Sequence, residues 1–176
     1  MNIFYLDSNP ATCAEYHCDK HVVKMIVEYA QLLSTAHRVI DGNHCRGISK
    51  TGRKQSTFVL PDDREFTLYR ATHINHPSAV WVRESVDHYN WLYSLWINLM
   101  QEYTTRYSKQ HATSRLINDL KNAPTNLAAS GFVDPPPCMP DYCKVTGDSV
   151  QSYRNYYNNE KAHFTKWKLN KPLWVV

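Results

Sequence analysis

The sequence predicts a mainly α protein, a single compact helical domain with one or two short strands near the N-terminus or in a loop. Three observations carry this. Apolar residues recur at helical spacing between Val22 and Ile40, recur again in a long run after Pro77, and a capping sequence at Asp148 opens a third such run. The 176 residues, 43% of them hydrophobic, suffice for one domain with its own core.

Ile3 to Leu6 is a short apolar run that reads as a strand. Asp7-Ser8-Asn9-Pro10 then signals a helix start, with proline at the first helical position, where its missing N–H is no loss. The helix runs to about Val39, with a break near Cys18-Asp19. At about 100° per residue, Val22, Val23, Ile26, Ala30, Leu33, His37 and Ile40 share one side. His17, Lys20, His21, Lys24, Glu28, Gln31 and Thr35 fall opposite.

From Asp41 to Thr72, Gly42, Gly47 and Gly52 sit among Arg46, Lys50, Arg53 and Lys54. This segment, about 41–72, reads as a flexible basic loop that clamps an anionic ligand, ending in a strand at Phe66 to Tyr69. Asn75-His76-Pro77-Ser78 repeats the helix-start grammar. The run from there to about Tyr107 makes one helix of about 45 Å. A shorter helix is expected over Ser114 to Asn122. The segment at about 123–147 holds Pro135-Pro136-Pro137 and Pro140 and is irregular. Asp148-x-x-Gln151 caps a last helix to about Trp167.

Twenty Lys+Arg against 16 Asp+Glu give a formal charge of +4, a mild excess that suits an anionic ligand without requiring one. The first residues lack a basic region followed by a long apolar one, and no stretch approaches a membrane span, so a cytoplasmic protein is expected. Five scattered cysteines suit reduced thiols. Twelve tyrosines and five tryptophans against five phenylalanines supply many rings with a polar handle, which serve either the edge of a core or base stacking.

Chemistry concentrates in three blocks. The stripe His17, Lys20, His21, Lys24, Glu28, with Asp19 beside it, aligns imidazoles, ammoniums and carboxylates on one helical line. It reads either as a solvated face with a Lys24–Glu28 pair or as general acid/base and anion-binding groups. Its histidine content favours chemistry. His17-x-x-x-His21 departs from the zinc pattern H-E-x-x-H, because Cys18 stands where the general base would be. The cysteine spacings also differ from C-x-x-C, so neither a metal nor any other cofactor is assigned. The second block, His73-x-Asn75-His76-Pro77-Ser78, precedes a helix N-terminus suited to a phosphate, with Arg83 further on; capping alone is the alternative. The third is the aromatic and basic last helix, in which Arg154 and Lys161 lie on one edge near Tyr157.

Cys18-Asp19-Lys20-His21-Val22-Val23-Lys24-Met25, His73-x-Asn75-His76-Pro77 with Trp81, Glu102-Tyr103 with Arg106-Tyr107, and Ser152-Tyr153-Arg154-x-Tyr156-Tyr157 with Lys161 and Trp167-Lys168 resemble a family of small uncharacterised tailed-bacteriophage proteins. The resemblance covers nearly the whole chain outside the loop from Asp41 to Thr72. It implies a phage setting in the host cytoplasm, where small proteins process nucleotides, modify or repair DNA, or disarm nucleotide-based defences. In size, helicity and charge the chain more loosely resembles small DNA glycosylases of damaged or modified pyrimidines. The pyrimidine-dimer type uses its processed N-terminal amine, whereas Met1-Asn2 is a poor substrate for methionine removal.

The expected function is an enzyme acting on a nucleotide unit, a DNA glycosylase-like hydrolase of modified or damaged bases, with DNA the favoured partner. Asp19 or Glu28 activates a nucleophile or stabilises an oxocarbenium-like centre, and His21, His73 and His76 exchange protons. Lys20, Lys24, Asn75, Arg83, Arg154, Tyr157 and Lys161 hold nucleotide and phosphate. One cavity is expected to gather His21, Lys24, His76 and Arg154. The alternative is a non-catalytic protein that sequesters a nucleotide and counters host defence.

Overall fold

The computed structural model describes residues 1–48 and 51–176. It is mainly α, and its first segment is a correction. Ile3, Phe4, Tyr5 and Leu6 are buried, but they form irregular coil rather than a strand, with Leu6 N turned back onto Phe4 O at 3.1 Å. Side chains do the work of a sheet. The Tyr29 hydroxyl accepts from Phe4 N at 3.1 Å, and the Cys13 thiol accepts from Leu6 N at 3.3 Å while donating to Phe4 O at 3.2 Å. Arg154 Nε donates to Leu6 O at 3.0 Å. A buried apolar run needs its backbone satisfied, and the sequence alone does not say by what.

Helix α1 (Pro10–Tyr16) is capped by Asn9, whose side chain accepts from Ala11 N and Thr12 N. The chain breaks at His17 and Cys18, and α2 (Asp19–Asp41) follows. The first half of α2 is amphipathic. Its second half is buried all round from Leu32 to Arg38, because α2 packs on both α4 (Pro77–Val82) and α5 (Val86–Tyr107) while α1 also leans on α5. The expected sides also change: Val23 is 43% exposed, while Thr35, His17 and His21 are buried.

The segment after α2 is not a plain loop. Strands β1 (Asn43–Ile48) and β2 (Lys54–Val59) pair antiparallel, Asn43 with Val59 through Ile48 with Lys54. The strand expected at Phe66 to Tyr69 is instead the single turn of α3 (Arg64–Thr67), which leaves Phe66 87% exposed. Lys50 lies outside the described residues.

The expected 45 Å helix is two helices. The first, α4, ends at Arg83, and Ser85 adopts an extended backbone and caps α5, its Oγ accepting from Asp87 N at 3.1 Å. A 3-10 turn, Ala112–Leu116, leads into α6 (Ile117–Leu120). The proline-rich segment is irregular apart from the 3-10 turn Asp141–Cys143. Asp148 caps α7 (Ser149–Tyr156), accepting from Gln151 N at 2.8 Å. Helix α7 does not reach Trp167, because it widens into a π turn over Tyr157–Lys161. Among the described residues no helix is long and apolar enough to cross a membrane.

Candidate active site

The exposed face of the first half of α2 forms one wall of a cleft of about 360 Å³. Lys20, Lys24 and Glu28 recur at a spacing of four residues and so stand one above another, with His21 alongside. The opposite wall comes from the end of α7, the π turn and the turn after it, which present Tyr156, Lys161 and Phe164. Single π turns cluster at functional sites, and here the wider turn carries Lys161 toward α2.

The buried N-terminal coil closes the floor. Met1 packs against the core with its side chain 5% exposed, and its α-amino nitrogen lies 3.5 Å from Glu28 Oε2. Asn2 anchors this end, its Nδ2 donating to Cys138 O at 2.6 Å. The other Glu28 oxygen, Oε1, lies 3.3 Å from Lys24 Nζ. Among the described residues Glu28 is the one carboxylate lining the cleft, facing three lysines and the amine. That balance favours a phosphate-bearing ligand. The rings take part too: Lys20 Nζ stands 4.6 Å from the Phe164 centroid and Lys161 Nζ 4.4 Å from that of Tyr156.

His21 is buried behind this cationic line. Its Nδ1 shares a 2.6 Å hydrogen bond with the Tyr157 hydroxyl, and its ring stacks on Phe4 with centroids 4.3 Å apart. Burial pushes its pKa down to about 3, and the neighbouring His17, Lys161, Lys24 and Lys20 push the same way. His21 is thus a neutral hydrogen-bonding group rather than a proton carrier at neutral pH. His17 turns away, with Nδ1 against Cys13 O at 2.7 Å and Nε2 against the Tyr29 hydroxyl at 2.8 Å. Both its nitrogens are occupied, so His17 and His21 do not face one ion.

The remaining expected residues are placed elsewhere. Asp19 accepts from Arg106 Nη1 at 3.1 Å and from Lys168 N, neutralising a buried guanidinium. Arg154 does not line the cleft; it holds Leu6 O and reaches Asp7 at 3.3 Å, packed over Tyr16 and Trp174. Tyr157 lies beneath the cleft on His21, and Arg83 Nη2 donates to Ile74 O at 2.8 Å. His73 and Asn75 are exposed, His73 with a left-handed backbone and a 2.8 Å bond to Thr72 Oγ1.

His76 caps α4, its Nδ1 accepting from Ser78 N at 3.2 Å. It does not line the cleft, yet it feels it. Its pKa is lowered first by burial and then by the N-terminal amine and His73, while Glu28 opposes the shift. The sequence reading set the N-terminal amine aside because Met1 is poorly removed before Asn2, and it missed Phe4, Tyr156 and Phe164 as parts of the site. The signal present was the apolar run at the start of the chain, whose burial carries Met1 to Glu28.

A family model described as pyrimidine dimer DNA glycosylase matches residues 1–115, which include the amine and the α2 wall but not the π turn. No curated protein and no solved structure matches the chain.

Proposed function

Because the chain belongs to the pyrimidine dimer DNA glycosylase family, we propose that it removes damaged or modified pyrimidines from DNA, with the Met1 α-amine as nucleophile and Glu28 as the carboxylate serving it. The observation that carries this reading is the 3.5 Å approach of Met1 N to Glu28 Oε2 on the floor of a cationic cleft.

The uncharged amine attacks C1′ of an extruded nucleotide. The new N–C1′ bond forms as the glycosidic bond breaks, and the departing base takes that electron pair and a proton from water. Glu28 offsets the positive charge that develops at C1′ and accepts the proton that the attached amine must lose. The C1′–O4′ bond then opens to an imine with O4′ protonated, and water hydrolyses the imine to an abasic aldehyde and the free amine. Lys20, Lys24 and Lys161 hold the flanking phosphates, and Tyr156 and Phe164 offer faces for stacking. A volume of about 360 Å³ suits one extruded nucleotide and not a duplex.

The test offers duplexes carrying pyrimidine dimers or modified pyrimidines and measures base release, with and without borohydride to reduce an imine. The expected result is a covalent adduct on the N-terminal peptide, and a roughly hundredfold to thousandfold loss of base release in Glu28→Gln at unchanged DNA affinity. An adduct on Lys24, or base release unaffected in Glu28→Gln, overturns the assignment.

A further inference from the structure

Among the described residues, none of the β1–β2 ribbon lines the cleft. All six residues of β1 are exposed, and Ile48 is 76% so. A two-stranded ribbon that buries so little apolar surface adds little to the stability of a fold. Its composition is one-sided: between Asn43 and Leu60 the chain has Arg46, Lys50, Arg53 and Lys54 and no carboxylate, and Asp62 and Asp63 appear only beyond it.

The base of the ribbon is nonetheless fixed. Buried Arg38, near the end of α2, donates from Nη1 to Phe58 O at 3.0 Å and from Nε to Tyr69 O at 2.6 Å, and pairs with Glu65. The ribbon is therefore held in a set relation to the helix that carries Glu28. At about 1.5 Å per residue, Glu28 and Asp41 are about 20 Å apart along α2. Six strand residues extend the reach by about another 20 Å.

We propose that this ribbon is a second contact to double-stranded DNA, on the side of the extruded nucleotide toward which the C-terminal end of α2 points; this rests on the glycosylase reading. A two-stranded ribbon fits a B-DNA major groove about 12 Å wide. The 20 Å offset corresponds to about six base pairs. Duplex is favoured over a single strand because Phe58, the aromatic ring among the described residues of the ribbon's strands, is already stacked by His44, with centroids 5.0 Å apart. The charge serves phosphates.

The test is the salt dependence of binding to an undamaged duplex, which needs no catalysis. R46A/R53A is expected to flatten the slope of log K against log salt by about two, at roughly 0.9 per phosphate lost. Affinity at low salt is expected to fall about tenfold or more, while R46K/R53K keeps both values near those of the parent. R46Q, which changes one strand position only, is expected to lose about half as much slope. Trimming the duplex to fewer than about six base pairs on one side of a lesion should weaken the parent protein but not R46A/R53A. Unchanged slope and affinity in R46A/R53A and in R46Q, with unchanged melting temperature, overturn the ribbon. Failure of the glycosylase reading looks different, as absence of base release in a protein whose duplex binding and salt slope are intact.

Discussion

Lys24 separates stability from function. Its side chain is 66% exposed, so its 3.3 Å pairing with Glu28 is a screened surface interaction, and Lys24→Ala should shift stability by no more than about 0.5 kcal/mol. A phosphate held at the mouth of the cleft draws a charge-assisted hydrogen bond from the same ammonium, worth roughly 1.5–3 kcal/mol. Base release should fall about tenfold to a hundredfold while the melting temperature holds level. A melting point that drops without loss of base release marks Lys24 as surface support alone. The buried histidines do the reverse. Burial lowers His17 to about 4, His21 to about 3 and His37 to about 4, with the nearby guanidinium of Arg106 adding to the first and that of Arg64 to the last. Each is neutral in the folded protein and gains its proton near pH 6.5 when unfolded. Stability is therefore full above about pH 6.5 and is lost as pH falls toward 4 and 3, by up to about 1.4 kcal/mol per pH unit per histidine. Melting temperatures between pH 7 and 4 check this, and His17→Gln should flatten the profile.

At the scale of elements, caps were the most readable feature. Asn9, His76 and Asp148 each accept the backbone N–H that their place before a helix implies. Ser85 followed by Asp87 carries the same grammar, yet the apolar spacing running through it suggested continuity. The helix splits there because Ser85 is fully buried and its Oγ also accepts from Ser130 N at 3.3 Å, tying the break to the irregular segment. Ser85→Ala should cost about 1–2 kcal/mol, with unfolding in urea as the measure and an unchanged m-value as the sign that the loss is local. The ribbon was harder to see. Its strands are short and polar, without the alternation that a buried face imposes, so glycines and bases alone suggested a loop.

For the whole molecule, helical class and the α2 stripe were legible because one periodicity governs both core and cleft. Lys20, His21, Lys24 and Glu28 could be grouped from spacing, and Lys161 joined them on charge. Arg154 and Asp19 could not be sorted the same way. Their partners, Leu6 O and Arg106, are set by long-range packing that no local pattern encodes. Met1 was hidden for a similar reason. The amine reaches Glu28 only because the run behind it is buried as coil, and the position is sensitive: one glycine added before Met1 should move the amine from the floor and lower base release about a hundredfold or more, with DNA affinity retained.

That buried coil also ties Met1 to parts of the chain far from it in sequence. Asn2 is held at Cys138, Tyr5 at Asp134 and Leu6 at Arg154. Contacts so distant in sequence form late. On the glycosylase reading, a chain cut before Cys138 is expected to keep the family's matched residues but lose the anchors of Asn2, Tyr5 and Leu6 that seat the amine beside Glu28, and with them base release.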